Sequence, residues 1–339
     1  MQGQQLRRYT LTLCVSSALL AGCAAGQPPV GSSGATYEGR AIAAHAERRL
    51  YVTNANDRVT VYALGAAGDV RPIQDIYGSN TALSHPHGVA VDGSGRIYVV
   101  NAVPPSVTVY AAGATGNVKP VETIAGPQTQ LHLPTGIALD SQNGEIYVSN
   151  SSGGRSRKGS VTFYASSSNG DVSPRGVIQG SKTRLDHPNC LAVDASGNVA
   201  VTNYYGYVTF YGAGSSGNVA PLRTVEGALT ELKDPTQVTV DVALNTYVAN
   251  AGSSRLTVYA PGSDGNVAPI QDIHGPRTSL SLTLGIAVDT AGNIYAASGV
   301  GNASRITVYA AGSSGDAHPI RAIEGNDTGL EFPQDIAVH

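Results

Sequence analysis

From residue 41 to the C-terminus, short apolar runs alternate with polar, glycine-rich gaps, and the runs recur in a fixed order. One unit reads HPHGVAVDGSGRIYVVN, then VTVYAAGATGNVKPVETIAG, then TQLHLP. A first marker appears as YVTN at Tyr51, YVVN at Tyr98, YVSN at Tyr147, AVTN at Ala200, YVAN at Tyr247 and YAAS at Tyr295. These copies lie 47, 49, 53, 47 and 48 residues apart. A second follows each of them: VTVY at Val59 and Val107, VTFY at Val161 and Val208, LTVY at Leu256 and ITVY at Ile306. Runs this short, rich in Val, Ile, Thr and Tyr and bounded by Gly, Asn and Asp, predict strands rather than helices.

Each of the six units predicts four strands, a to d. Strand a is GVAVD or its equivalent. The D-x-x-G-N or D-G-S-G-R that follows supplies an Asp to accept turn amides and a Gly that tolerates positive φ, so a and b form a hairpin. Glycine-rich stretches such as Gly113 to Asn117 separate c from d. Four antiparallel strands repeated at this period predict an all-β, six-bladed β-propeller. The a strands converge on its axis, where Ala90, Ala138, Ala192 and Ala287 relieve crowding. Strand a occurs once too often, as Ala41 to His45 and again as Asp335 to His339. Phe332-Pro333 gives the second copy the usual lead, so the C-terminal strand is expected to close the ring and remove an exposed edge.

The pattern P-x-G-[IV]-A-V-D-x-x-G-N-I-Y-V-x-N resembles the NHL repeat, in HPHGVAVDGSGRIYVVN and more loosely in LPTGIALDSQNGEIYVSN. The resemblance covers residues 41–339 and implies a propeller. It implies no single function, because NHL-type propellers include binding modules, sensor domains, lyases and lactonase-like hydrolases.

The N-terminus changes the picture of where this domain works. Arg7 and Arg8 precede an apolar run from Tyr9 to Ala21 that is too short to span a membrane, the plan of a secretory signal over residues 1–22. Leu20-Ala21-Gly22-Cys23 resembles the bacterial lipobox, which implies lipid on Cys23 and a membrane-anchored exported protein, in the outer membrane if the source has two. Residues 23–40 read as a Gly, Pro and Ser-rich tether. With Cys14 in the signal and Cys23 lipidated, Cys190 is left alone, so no disulfide partner is expected. Lys and Arg total 21 against 24 acidic residues, a balance without the basic footprint of a nucleic-acid binder.

Candidate chemistry gathers on the face shared by the d-a crossings and b-c loops, here the upper face, because the a-b turns and c-d loops opposite vary little. It carries Arg155, Arg157 and Lys158 in an insertion and Tyr204, Tyr205 and Tyr207 in blade four, with Arg58, Arg255 and Arg305. Tyr faces suit a glycan and Arg an anionic polymer. At the channel mouth, Asn54, Asn101, Asn150, Asn203 and Asn250, with Ser298 sixth, form a ring whose commonest explanation is turn capping. Resemblance to lactonase-like propellers implies Ca²⁺ held by Asn with acidic ligands, but this ring is neutral. Resemblance to amidoglycolate lyases implies zinc on His at the P-H position, matched by His87 alone, to which His85 and His187, each preceding proline in its crossing, could add; catalytic zinc needs three ligands. No nucleophile elbow, phosphate loop or H-E-x-x-H motif is present. The expectation is a cell-envelope binding or interaction module for a protein, glycan or anionic polymer, without cofactor. A Ca²⁺- or Zn²⁺-dependent lyase or lactonase-like hydrolase is the alternative.

Overall fold

A computed structural model describes residues 48–152 and 159–339. Among the described residues the strands form six four-stranded antiparallel sheets, and there are five single 3-10 turns and no α-helix. Blade two shows the pattern: inner strand Pro86–Val91, then Ile97–Asn101, Ser106–Tyr110 and the short outer strand Glu122–Ile124. Blade one is composite. The C-terminal strand Pro333–Val338 takes its inner place against Arg49–Asn54, so the last residues of the chain close the ring as expected. The other copy, Ala41 to His45, lies outside the described residues, as do the signal, the tether and Cys23.

The core lies between the blades. Tyr98, Val100, Val107 and Val109 of blade two pack on Ile137, Ile146 and Val148 of blade three, and five equivalent clusters complete the circle. Strands buried on both faces need no polar alternation, which is why the second strands read as continuous burial. Near the axis the crowding is severe: a Cβ on Gly136 would lie 2.6 Å from Cys190 Cα, and one on Gly88 would lie 2.9 Å from the Ile137 amide nitrogen. The c-d loops do more than turn. Gly116 bridges Ile76 of the preceding blade, and Asn117 accepts the Asn80 N–H there at 2.7 Å. This latch repeats around the ring, ending with Asp69 and Asp327, and explains the uniformity of these loops.

Candidate functional site

The upper face is built on one crossing module that motif reading had not resolved, Gly-x-x-Thr-x-Leu. In the crossing into blade two, Thr81 Oγ1 donates to Gly78 O and accepts the Leu83 N–H, while buried Tyr110 donates its hydroxyl to Thr81 O at 2.6 Å. Tyr62, Tyr164, Tyr211, Tyr259 and Tyr309 make the same bond in the other blades. The asparagine ring belongs to this module and not to the channel mouth, which corrects its placement there. Asn54, Asn101, Asn150, Asn203 and Asn250 are fully buried. Asn101 Oδ1 accepts the Ser84 N–H at 3.0 Å and its Nδ2 donates to Thr108 at 3.1 Å, and the other four repeat this pairing. Both ends of each amide are spent on the blade, so none is free for a ligand.

At the axis the crossings open into a cavity of about 170 Å³ lined by His87, Thr135, Asn189, Thr236, Leu284 and Gln334, with Cys190, Gln237 and Asp335 at its base. Three of the polar lining groups clasp the next blade: Thr135 donates to Pro188 O, Asn189 to Pro235 O and Thr236 to Thr283 O. The base residues stand where other blades have Gly. Inner strands of a propeller do not pair with one another, so their edges need other partners. Asp335 accepts the Val89 N–H at 3.0 Å and that of Ile336 at 2.7 Å; Gln237 accepts the Ile286 N–H and donates to Ile336 O at 3.2 Å. Burial pushes the Asp335 carboxyl up to about 7 against these bonds. Burial also raises the Cys190 thiol far above its usual range, the mark of an inert core cysteine. His87 is the exception among the polar groups: its ring has no protein hydrogen-bond partner among the described residues. Burial, with His85 beside it, lowers its pKa and keeps the imidazole neutral near pH 7.

This donor set does not fit a hard divalent cation. The only carboxylate lining the cavity is Asp335, already committed to two backbone amides, and the remaining oxygens are neutral. Nor do the histidines converge for zinc. His187 pairs through Nδ1 with Asp186 at 2.8 Å and does not line the cavity, and no group of three His, Cys, Asp or Glu among the described residues could hold a metal.

Outside the mouth, blade four is distinctive. Tyr204 and Tyr205 follow its second strand, 48% and 64% exposed, with rings edge to face at 5.5 Å. The His187 ring packs edge-on to Tyr205 at 5.8 Å, and two residues further on Asn189 reaches the cavity. The third tyrosine has another role. Tyr207 donates its hydroxyl to Arg184 O and lies under that guanidinium, so it braces the crossing. Four described arginines of the rim are paired with carboxylates: Arg58 with Asp75, Arg184 with Glu226, Arg255 with Glu231 and Asp272, and Arg305 with Glu324. Arg155, Arg157 and Lys158 lie outside the described residues.

The molecule is thus a six-bladed NHL-like propeller with a small cup at its axis and an aromatic step on one rim. The chain belongs to the SMP-30/gluconolactonase/LRE-like family, whose model matches residues 23–213. Among solved structures it is similar to a chain of the nidogen/laminin complex, with 15% identity, a TM-score of 0.59, and coverage of 86% of this chain and 98% of that one. It is also similar to a protein of unknown function from Bacteroides caccae, with 10% identity, a TM-score of 0.61, and coverage of 86% and 99%. A third, functionally unknown protein from Desulfotomaculum acetoxidans has 10% identity, a TM-score of 0.53, and coverage of 78% and 75%. Identities this low speak for the fold alone. No curated protein matches the chain.

Proposed function

We propose that this protein is an exported lipoprotein, acylated on Cys23, whose propeller binds a neutral glycan on its upper face. The observation that carries the reading is the exposed step formed by Tyr204 and Tyr205 with His187 behind it. The other described b-c loops present no aromatic ring. Perpendicular aromatic faces give a sugar ring an apolar plane and a polar edge at small entropic cost. Asn189 and the neutral His87 offer uncharged donors and acceptors along the way to the cup. An anionic polymer fits less well, because Arg58, Arg184, Arg255 and Arg305 already hold carboxylates and would exchange one partner for another.

Calorimetric titration of the mature chain in detergent against neutral oligosaccharides, at low and high salt, tests this. Tyr204→Ala with Tyr205→Ala is expected to weaken binding roughly tenfold or more, with little dependence on salt. Arg155→Ala with Arg157→Ala is expected to be nearly silent. Binding that survives loss of both tyrosines, or that collapses with salt, overturns the glycan reading.

A further inference from the structure

The lower face contains one turn that breaks the rule of its neighbours. Between the inner and second strands, the a-b turns of blades two, three, four and six place Gly95, Gly144, Gly197 and Gly292 at φ of 82°, 62°, 80° and 82°. Blade five puts Leu244 there at φ 64°. A branched side chain in the left-handed region is disfavoured, and Leu244, 38% exposed, lies along a groove with Phe210 and Val240, so the side chain that this turn presents fully to solvent is that of Val242. The rest of the turn is built as in the other blades: Asp241 Oδ1 accepts the Asn245 N–H at 2.8 Å and Asp241 O accepts the Leu244 N–H at 2.9 Å. The departure is therefore in what the turn displays. Its tip reads Val242-Ala243-Leu244, with Val242 95% exposed, where the others show Gly, Ser, Gln, Asn, Ala or Thr.

The same face receives the chain from its N-terminal side. Arg49 donates its N–H to His339 O at 2.8 Å, and Arg48 donates through Nη1 to Thr290, in the a-b turn of blade six next to blade five. Residues 24–47 separate Arg48 from Cys23, a span that chain geometry limits to roughly 80 Å. We propose that the lower face rests on the lipid bilayer, with Val242 inserted at the tip of the turn and the exposed edge of Leu244 beside it, so that the tyrosine step faces away from the membrane. This rests on the acylation of Cys23. Lipid is the occupant favoured because the tip and the point where the anchored chain enters lie on one face, and because an aliphatic side chain standing clear on a hairpin tip matches a bilayer interface better than a pocket.

The test uses the mature acylated chain in phosphatidylcholine vesicles, with an environment-sensitive fluorophore on Ala243→Cys or, on the upper face, on Ala55→Cys. Buried Cys190 stays unlabelled. The probe at 243 is expected to shift to the blue and to be quenched by brominated acyl chains, while the probe at 55 stays aqueous. Adding Val242→Ser and Leu244→Gly should lower the inserted fraction roughly tenfold. A probe at 243 as aqueous as that at 55 overturns the proposal, including the case in which a protein partner covers the tip instead. The mass of the N-terminal peptide reports acylation separately. If Cys23 carries no lipid the anchoring reading fails, and the same probes on a Cys23→Ser chain tethered by an N-terminal polyhistidine to nickel-chelating vesicles still decide whether the lower face inserts.

Discussion

Replacing Asp335 by Asn should change how stability depends on pH. Asp335 closes the base of the axial cup on the last strand, 5% exposed, with its carboxyl pushed by burial from 3.8 to about 7. The N–H bonds from Val89 and Ile336 oppose this shift without cancelling it. Between about pH 4 and pH 7 the folded protein therefore holds a proton that the unfolded chain has released. Stability from this group is complete below the unfolded value and is lost as pH rises through the folded one. At about 1.4 kcal/mol per unit, the span allows a loss of at most roughly 4 kcal/mol. Other groups act in the opposite sense: Asp92 and Asp289 are lowered by their turn hydrogen bonds, and His87 by burial, so each costs stability as pH falls. They are common to both proteins and cancel in the difference. Asn also leaves one backbone N–H without an acceptor, an offset of about 1–3 kcal/mol that does not vary with pH. Urea unfolding of wild type and Asp335→Asn from pH 4 to 8 should show the variant gaining on wild type as pH rises, by up to about 4 kcal/mol. A difference that stays constant across the range would show that the carboxyl titrates normally and that the burial argument fails.

Deleting residues 332–339 removes the inner strand of blade one and should abolish cooperative unfolding, whereas removing residues 24–40 should leave the melting temperature of the propeller within a degree or two, as followed by circular dichroism. Asn101→Ala should cost about 1–3 kcal/mol in urea unfolding, because it leaves the Ser84 N–H without its acceptor and removes the donor to buried Thr108; a cost below about 0.5 kcal/mol would contradict the capping role.

Blade number, strand order and the closing strand were legible because a propeller repeats its local chemistry: the units state their own turns and Tyr-rich strands, and five of the six inner strands begin at a Pro. What was not legible depends on contacts between blades or across a blade. The rim arginines read as a basic surface, yet the carboxylate of Arg184 is Glu226, 42 residues away, and that of Arg305 is Glu324 on the outer strand. The asparagines read as a ring at the mouth because their spacing gives the blade but not the direction of the side chain. Cys190, Gln237 and Asp335 did leave a trace, since each replaces the Gly of P-x-G. Only the packing of inner strands shows why those three replacements plug one axis.

Departures from the repeat sort themselves by burial. Ser298 replaces Asn in blade six and lies buried with no hydrogen-bond partner for its hydroxyl, as do the hydroxyls of Thr283 and Thr307 in the same blade. That departure, like the plug at the axis, spends or saves stability out of reach of any partner. Tyr204, Tyr205 and Val242 are exposed, and none is needed by the blade that carries it: the other described b-c loops close without aromatics, and the other a-b turns show Gly, Ser, Gln, Asn, Ala or Thr at their tips. Residues that the fold does not need and solvent does not favour are explained best by contact with something else. These two sets sit at opposite ends of blades four and five. A propeller is well suited to such a division, because its strands run from one face to the other and each blade is latched to the next, so the two faces can specialise while the ring between them stays rigid.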